Sequence, residues 1–556
     1  MSITRFDREG RVGLNIQQET QLGREQVLAR LQALRQSMHD FSLGQALNAE
    51  RIHAFSRRVG PLYFDYTRHL VTPEVMDSLR QWGRLQGWRS ALQKLSAGYP
   101  INTSEARPAH HMALRDLGSI TADATARMTA QTDRERMLSL LDRIKAGQLR
   151  GARGCAFDTL VNIGVGGSDL GAAMAVQALH AQGEGQFTLH FISSIDGVAL
   201  TRLLPQIRLD STLFIISSKS FSTPDTFENV QTVQTYLQDQ GYTPDEWSRH
   251  FLGISAVPQA MFAFGIPEDL QLPFMNSIGG RFSLASCIGL PLAAHLGRQG
   301  FMAFLQGMHE MDRHVLEEAE TSLPATMALL EWWYAQFWQA EALAILPYHQ
   351  DMERFPAYAT QLQMESLGKG CDTQGRPLLC SGHVVFGEVG SNAQHSFMQL
   401  LHQGTRMIPA DILLFANMPE TNDRQRNMTL AQGLAQGRAL ALGYDEKAAA
   451  HDFPDDAYAI RQARLHPGNR PSSTLLWESL QPKTLGMLVA LYEHKTFLLA
   501  QLWGINPFDQ MGVELGKRLA RPLVSCLNGV TAAEGMDAGT TALLQAVKNM
   551  HRGMNT

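Results

Sequence analysis

Between Phe157 and Ser218 three short β-rich runs, FDTLVNIGVGG, FTLHFISSID and STLFIISS, are separated by stretches of helical character, the first of them DLGAAMAVQALHAQ. A strand that is apolar on both faces has to be covered on both, and a helical crossover between parallel neighbours does this. Strand, helix, strand, helix, strand therefore predicts an α/β lobe with a doubly wound parallel sheet. A second set follows a Trp-rich segment: EALAILPY, VVFGEVGS, a helix from about Ala393 to Gln403, and DILLFAN. The expected fold class is thus α/β, two αβα sandwich lobes with parallel-type sheets. Residues 1 to about 150 alternate apolar and charged positions at helical spacing, as in REQVLARLQALRQSM, and predict an all-helical N-terminal region. The expected division is a helical N-terminal region over 1–125 packing on the larger lobe, a smaller lobe over 126–300, a larger lobe over 301–515 and a helical C-terminal tail over 516–556. No short-period repeat is present, and the two lobes share no obvious sequence motif.

Composition narrows the class of ligand. Of 556 residues, 44% are apolar and 18% charged, enough apolar material for large cores. The formal net charge is -5, and Lys and Arg occur singly, so no basic field recruits nucleic acid or an anionic membrane. The partner expected instead is a small polar molecule. Five cysteines form no CxxC pair and are odd in number, which disfavours a zinc knuckle or a disulfide framework and fits a reducing cytoplasm. The first twenty residues hold no apolar signal-peptide core. The most membrane-like stretch, MALLEWWYAQFWQAEALAIL, is interrupted by Glu331, Gln336, Gln339 and Glu341 and predicts a buried helix, not a span.

Two loops at strand ends carry candidate chemistry. GVGGSDLG, Gly164 to Gly171, lacks the Lys-Ser/Thr of a P-loop and has Asp169 where GxGxxG needs its third glycine. Asp196, closing FISSID, is the one residue placed to serve a dinucleotide reading. SSKSFSTPDT offers the hydroxyls of Ser218, Ser220 and Thr223, the cation of Lys219 and the start of a helix. Those are the donors a phosphomonoester requires. A Ser/Thr-rich turn that merely caps a helix has the same composition.

Taken in order, NIGVGGSDLG, FIISSKSFST, GGRFSLAS, QMESLGK, FGEVGSNAQHSFMQLLHQGT, GNRPSS and FDQMGVELGK, preceded by INTSEARPAHHMALR, resemble the glucose-6-phosphate isomerase family over about residues 101 to 520. The resemblance implies two sugar-isomerase (SIS) lobes, a homodimer whose active site is shared between subunits, and a sugar phosphate as substrate. It implies ring opening of glucose 6-phosphate and proton transfer through a cis-enediol to fructose 6-phosphate, with no metal or organic cofactor. Gly167, Ser168, Ser218, Lys219, Ser220 and Thr223 would then hold the phosphate. Arg281, Gln361, Glu365, His395, Gln510 and Lys517 would line the reacting end of the sugar.

The implied roles make chemical sense. One carboxylate, Glu365, reaches both C1 and C2 and carries the proton between them. Arg281, after two glycines, stabilises the charge that develops on the enediol oxygens. His395, following Ser391 or Asn392 as helix cap, is the ring-opening acid and enters from the partner subunit; Lys517 assists at O1, and Gln361 and Gln510 bind. His402, seven residues on, is expected to be a structural hydrogen-bonder. The sequence also departs from the family pattern at Ser220, Ser222, Pro224, Asp225, Leu367, Ala393 and Met511. Two rival readings use the same loops: a sugar-phosphate-binding regulator without turnover, and a nicotinamide-dependent dehydrogenase resting on Gly164 and Asp196.

Overall fold

The computed structural model describes residues 11–530 and 535–554. Met1–Pro507 form one compact unit and Phe508–Thr556 another. The larger unit is built on two sheets, as the alternation of strands and helices predicts. The first contains β3 (Thr159–Ile163), β4 (Thr188–Ile192), β5 (Thr212–Ser217), β6 (Phe251–Ser255) and β7 (Gln271–Pro273), all parallel, in the order β4-β3-β5-β6-β7. Strands β3, β5 and β6 are buried along their whole length, which is why their sequences are continuous apolar runs and not alternating ones.

The second sheet has six strands, in the order β1 (Ser56–Val59), β2 (Leu62–Arg68), β11 (Ser472–Ser479), β10 (Ala410–Asn417), β8 (Ala342–Pro347) and β9 (Val384–Gly387). Strands β8, β9, β10 and β11 are mutually parallel. Four consecutive strands of each sheet thus share one winding: β3 runs to β4 on one side and returns to β5 on the other, and β8 runs to β9 and returns to β10. Each sheet therefore has a switch point, where loops leaving neighbouring strands in opposite directions open a crevice at the carboxyl ends.

The N-terminal region is not all-helical. Ser56–Val59 (β1) and Leu62–Arg68 (β2) form an antiparallel hairpin around Gly60, whose φ of +54° suits glycine, and β2 pairs antiparallel with β11. LYFDYTR has the period-two pattern of a half-buried strand, but it is short and flanked by arginines, which masks it in a helical context. The expected helix from Ala393 to Gln403 is also two pieces, Gly390–Ala393 and Met398–Gln403, and neither Ser391 nor Asn392 is the cap; Val389 stands there.

MALLEWWYAQFWQAEALAIL divides at Gln339, which takes a left-handed φ of +54°, into the end of the buried helix Leu323–Trp338 and strand β8. Among the described residues no helix is long and apolar enough to cross a membrane. Glu331 in that helix is ion-paired with Lys495 at 2.6 Å on the helix Pro482–Trp503, and Lys495 also lies 3.4 Å from Asp411 of β10. Arg115 is likewise buried against Asp312 and Glu493. Burial alone would push the Glu331 carboxyl up; Lys495 and His383 instead hold it down to about 2. Removing one partner from such a pair strands a charge in the core, at a cost of roughly 3–5 kcal/mol.

Candidate active site

The Gly-rich loop and the hydroxyl loop leave β3 and β5, the two strands that flank the first switch point. Asn162 on β3 ties them together: it accepts from Ser217 Oγ at 2.7 Å and donates to the Ser168 carbonyl at 3.1 Å. Gly166 has φ +57°, and a Cβ on Gly167 would fall 2.2 Å from the carbonyl carbon of Gly280. That backbone contact requires glycine at 167 and brings the Gly279–Gly280–Arg281 turn against the loop; Ser283 Oγ adds a hydrogen bond of 3.2 Å to the Gly167 carbonyl.

In the hydroxyl loop Ser218 and Thr223 share a hydrogen bond of 3.0 Å, and Ser222 donates to Ser220 at 3.0 Å. Phe221, between them, takes a left-handed φ of +49°, held by burial of its ring against Phe227 and Phe264. Strain at a non-glycine residue in a ligand loop has to be supported by packing of this kind. Thr223 precedes the helix Pro224–Asp239 without capping it through its side chain, so the first-turn N–H groups keep their donor capacity. Pro224 occupies the first helical position, where its missing N–H costs the helix nothing.

Lys219 is not the solvated surface lysine that its sequence surroundings allow. Burial lowers its pKa to about 8; Arg107 and Arg281 act in the same direction, and Glu105 opposes them. Three cations therefore converge on this crevice. Arg107, paired with Glu105 at 2.5 Å, lies in INTSEARPAHHMALR and was given no role by sequence reasoning. Its signal was only its place in that block.

Glu365 lies in a five-residue π-helical turn, Gln361–Glu365, that continues the helix Phe355–Thr360. Such turns break the 3.6-residue spacing and are common at functional sites. The Gln361 amide donates to Glu365 Oε2 at 3.0 Å, and a Cβ on Gly166 would meet Gln361 Nε2 at 3.0 Å, which locates Gln361 beside the Gly-rich loop. Arg281, 4% exposed, points Nη1 at Glu365 Oε1 from 3.5 Å. Its Nε donates to Ser366 Oγ at 2.6 Å and its Nη2 to the Pro507 carbonyl. Below the turn, Gln363 donates to the buried Glu331. Ser366 and Gln363, which flank Glu365, were also missed in the sequence, where neither has a motif of its own.

The structure brings together Gly167, Ser168, Ser218, Lys219, Thr223, Arg281, Gln361 and Glu365; Ser220 belongs to the same loop and is exposed. His395 is elsewhere. It sits exposed on the turn between Gly390–Ala393 and Met398–Gln403, and among the described residues its ring has no hydrogen-bond or ion-pair partner. His402 has the structural role expected, bonding Gln436 Oε1 at 2.7 Å through Nε2. Gln510 and Lys517 lie in the C-terminal unit, Gln510 before the turn Met511–Val513 and Lys517 on the helix Glu514–Leu527, paired with Glu514 at 3.1 Å. Asp196 accepts the Val198 N–H at 3.0 Å, an ordinary turn cap.

A family model described as phosphoglucose isomerase matches residues 65–544. A glucose-6-phosphate isomerase of Methylocella silvestris is 38% identical over 520 residues, 91% of this chain and 94% of its own. One from Acinetobacter baumannii is 40% identical over 518 residues, covering 90% and 92%. The crystal structure of a glucose-6-phosphate isomerase from Chlamydia trachomatis matches with a TM-score of 0.81 at 28% identity, over 94% of this chain and 98% of that one.

Proposed function

The chain belongs to the phosphoglucose isomerase family and is an aldose-ketose isomerase converting glucose 6-phosphate to fructose 6-phosphate, and on that premise we propose how its residues divide the reaction. The phosphate is held by Ser218, Ser220 and Thr223, the Gly167 N–H, the Ser168 hydroxyl, the N–H groups of the helix Pro224–Asp239, and the ammonium of Lys219. Glu365 takes the proton from C2 of the open-chain aldose; the C–H electron pair forms the C1=C2 bond as the C1=O π pair moves to O1, which takes up a proton to give a cis-enediol, and loss of the O2 proton then re-forms C2=O while C1 takes the proton back from the same carboxyl. Arg281 faces the enediol oxygens, already immobilised by Ser366 and Pro507, so no reorganisation is needed as charge develops. Gln361 orients Glu365 and the sugar. Each of these steps is a proton transfer, so the proposed route calls for no metal or organic cofactor.

The observation that carries this reading is the Glu365 carboxylate bracketed by Arg281 and Gln361 within reach of the Gly-rich loop. Isomerisation of fructose 6-phosphate in heavy water should place deuterium at C2 of the product, and Glu365→Gln should lower kcat by about 10²–10⁴-fold. Full activity in that variant would refute the assignment.

Ring opening needs an acid, and His395 is exposed outside this cluster. We assign it, with Gln510 and Lys517, to a homodimer in which the partner subunit's His395 protonates the ring oxygen and Lys517 assists at O1. Co-expressed Glu365→Gln and His395→Ala chains then regenerate one intact site per heterodimer, about a quarter of wild-type activity under random pairing. No recovery would mean that each chain supplies its own acid. The five cysteines, odd in number and with no CxxC pair, favour the cytoplasm. The lobe boundaries at 125, 300 and 515 belong to the same proposal.

A further inference from the structure

The second switch point also opens a cavity, of about 300 Å³. It is lined by the loop after β8 (Tyr348 to Asp351), the loop after β10 (Met418, Glu420 and Thr421) and Val389 and Ser391 after β9. Gln425 and Thr429, on the helix that follows β10, complete it. These are the places that the Gly-rich loop, the hydroxyl loop and the helix Pro224–Asp239 occupy around the first sheet. Clefts of this size at switch points, with a few convergent polar groups, are where α/β lobes bind small molecules.

Its chemistry is the reverse of the first crevice. No Lys or Arg lines it, and two carboxylates, Asp351 and Glu420, do. Both act on His349, whose Nδ1 accepts the Asp351 N–H at 3.2 Å, so its Nε2 carries the remaining proton and is a donor. The Tyr348 ring is 1% exposed and packs with Ile412 and Leu414 in the apolar core beneath the cavity. Phosphate is repelled here, and among the described residues no group of three or more His, Cys, Asp or Glu is placed to hold a metal ion. What suits two acceptors, neutral amides and hydroxyls, and apolar Val389 and Met418 is a ligand rich in hydroxyls and without charge.

We propose that the crevice between β8 and β10 is a second binding site, taking an uncharged hexose or polyol through Asp351, Glu420, His349 and Gln425. It is separate from the isomerase site and does not depend on how that site is assigned. The probe is methyl α-D-glucopyranoside, which has no phosphate and a locked ring, observed by saturation-transfer NMR on the full chain. The isomerase site is kept filled with the equilibrium mixture of glucose and fructose 6-phosphates. The glycoside signal should saturate and persist under these conditions. Glu420→Gln and Thr429→Met, the latter filling the cavity, should each weaken it at least about tenfold, a loss expected from one charge-assisted hydrogen bond. Unchanged isomerase turnover in both variants confirms folding. The proposal fails if the sugar phosphates displace the glycoside, if neither variant alters its binding, if the signal rises without saturating, or if D-glucosamine binds and the neutral glycoside does not.

Discussion

The crevices at β3/β5 and β8/β10 are made by strands in the same order and direction, yet one gathers Lys219, Arg107 and Arg281 while the other presents Asp351 and Glu420. The winding of a sheet decides where a ligand can be received, because only at a switch point do adjacent loops part. Which ligand is received is decided by a few side chains in those loops. The hydroxyl loop stands as a Ser/Thr cluster around a lysine; the loop after β10, MPETN, occupies the same position with a glutamate.

The sharpest way to break this contrast is to move charge between the crevices. Lys219→Ala should raise KM for fructose 6-phosphate about tenfold to a hundredfold, the worth of one hydrogen bond to a charged group, with a smaller effect on kcat. Glu420→Lys should leave both constants unchanged, because the second crevice takes no part in isomerisation. Equal effects of the two substitutions, read from initial rates, would erase the distinction. A smaller effect comes from pH. The Lys219 pKa is lowered to about 8, so the free enzyme holds the cation below that value and loses it as pH rises through it. The plot of kcat/KM should therefore fall several-fold on a limb near pH 8, since that ratio reports the free enzyme. In Lys219→Arg, whose guanidinium stays charged, the limb should move out of range.

The hydroxyl loop was legible in the sequence because its parts are contiguous, three donors and a cation within Ser218–Thr223. Glu365 and Arg281 entered only through the family resemblance, since alone they read as a surface helix start and a loop arginine; the partners that bury Arg281, Ser366 and Pro507, are 85 and 226 residues away from it. Arg107 escaped because its relation to Lys219 exists only in three dimensions. The hairpin β1–β2 escaped for a local reason, a short strand whose arginines read as one more polar helical face. The second crevice is illegible for a third reason. Its residues fall in three loops and a helix with no motif between them, and only the common strand order makes them a site.

The contact between Gly167 and Gly280 has a further consequence. On the proposed assignment it couples the turn that would grip the phosphate to the turn that would face the enediol, backbone against backbone, with no side chain between them to flex. The protein thus carries a fixed gauge for chain length. A ketose phosphate one carbon shorter, anchored by the same anion, would offer Glu365 the wrong carbon, and misplacement by about 1 Å is enough to lose 10²-fold in rate.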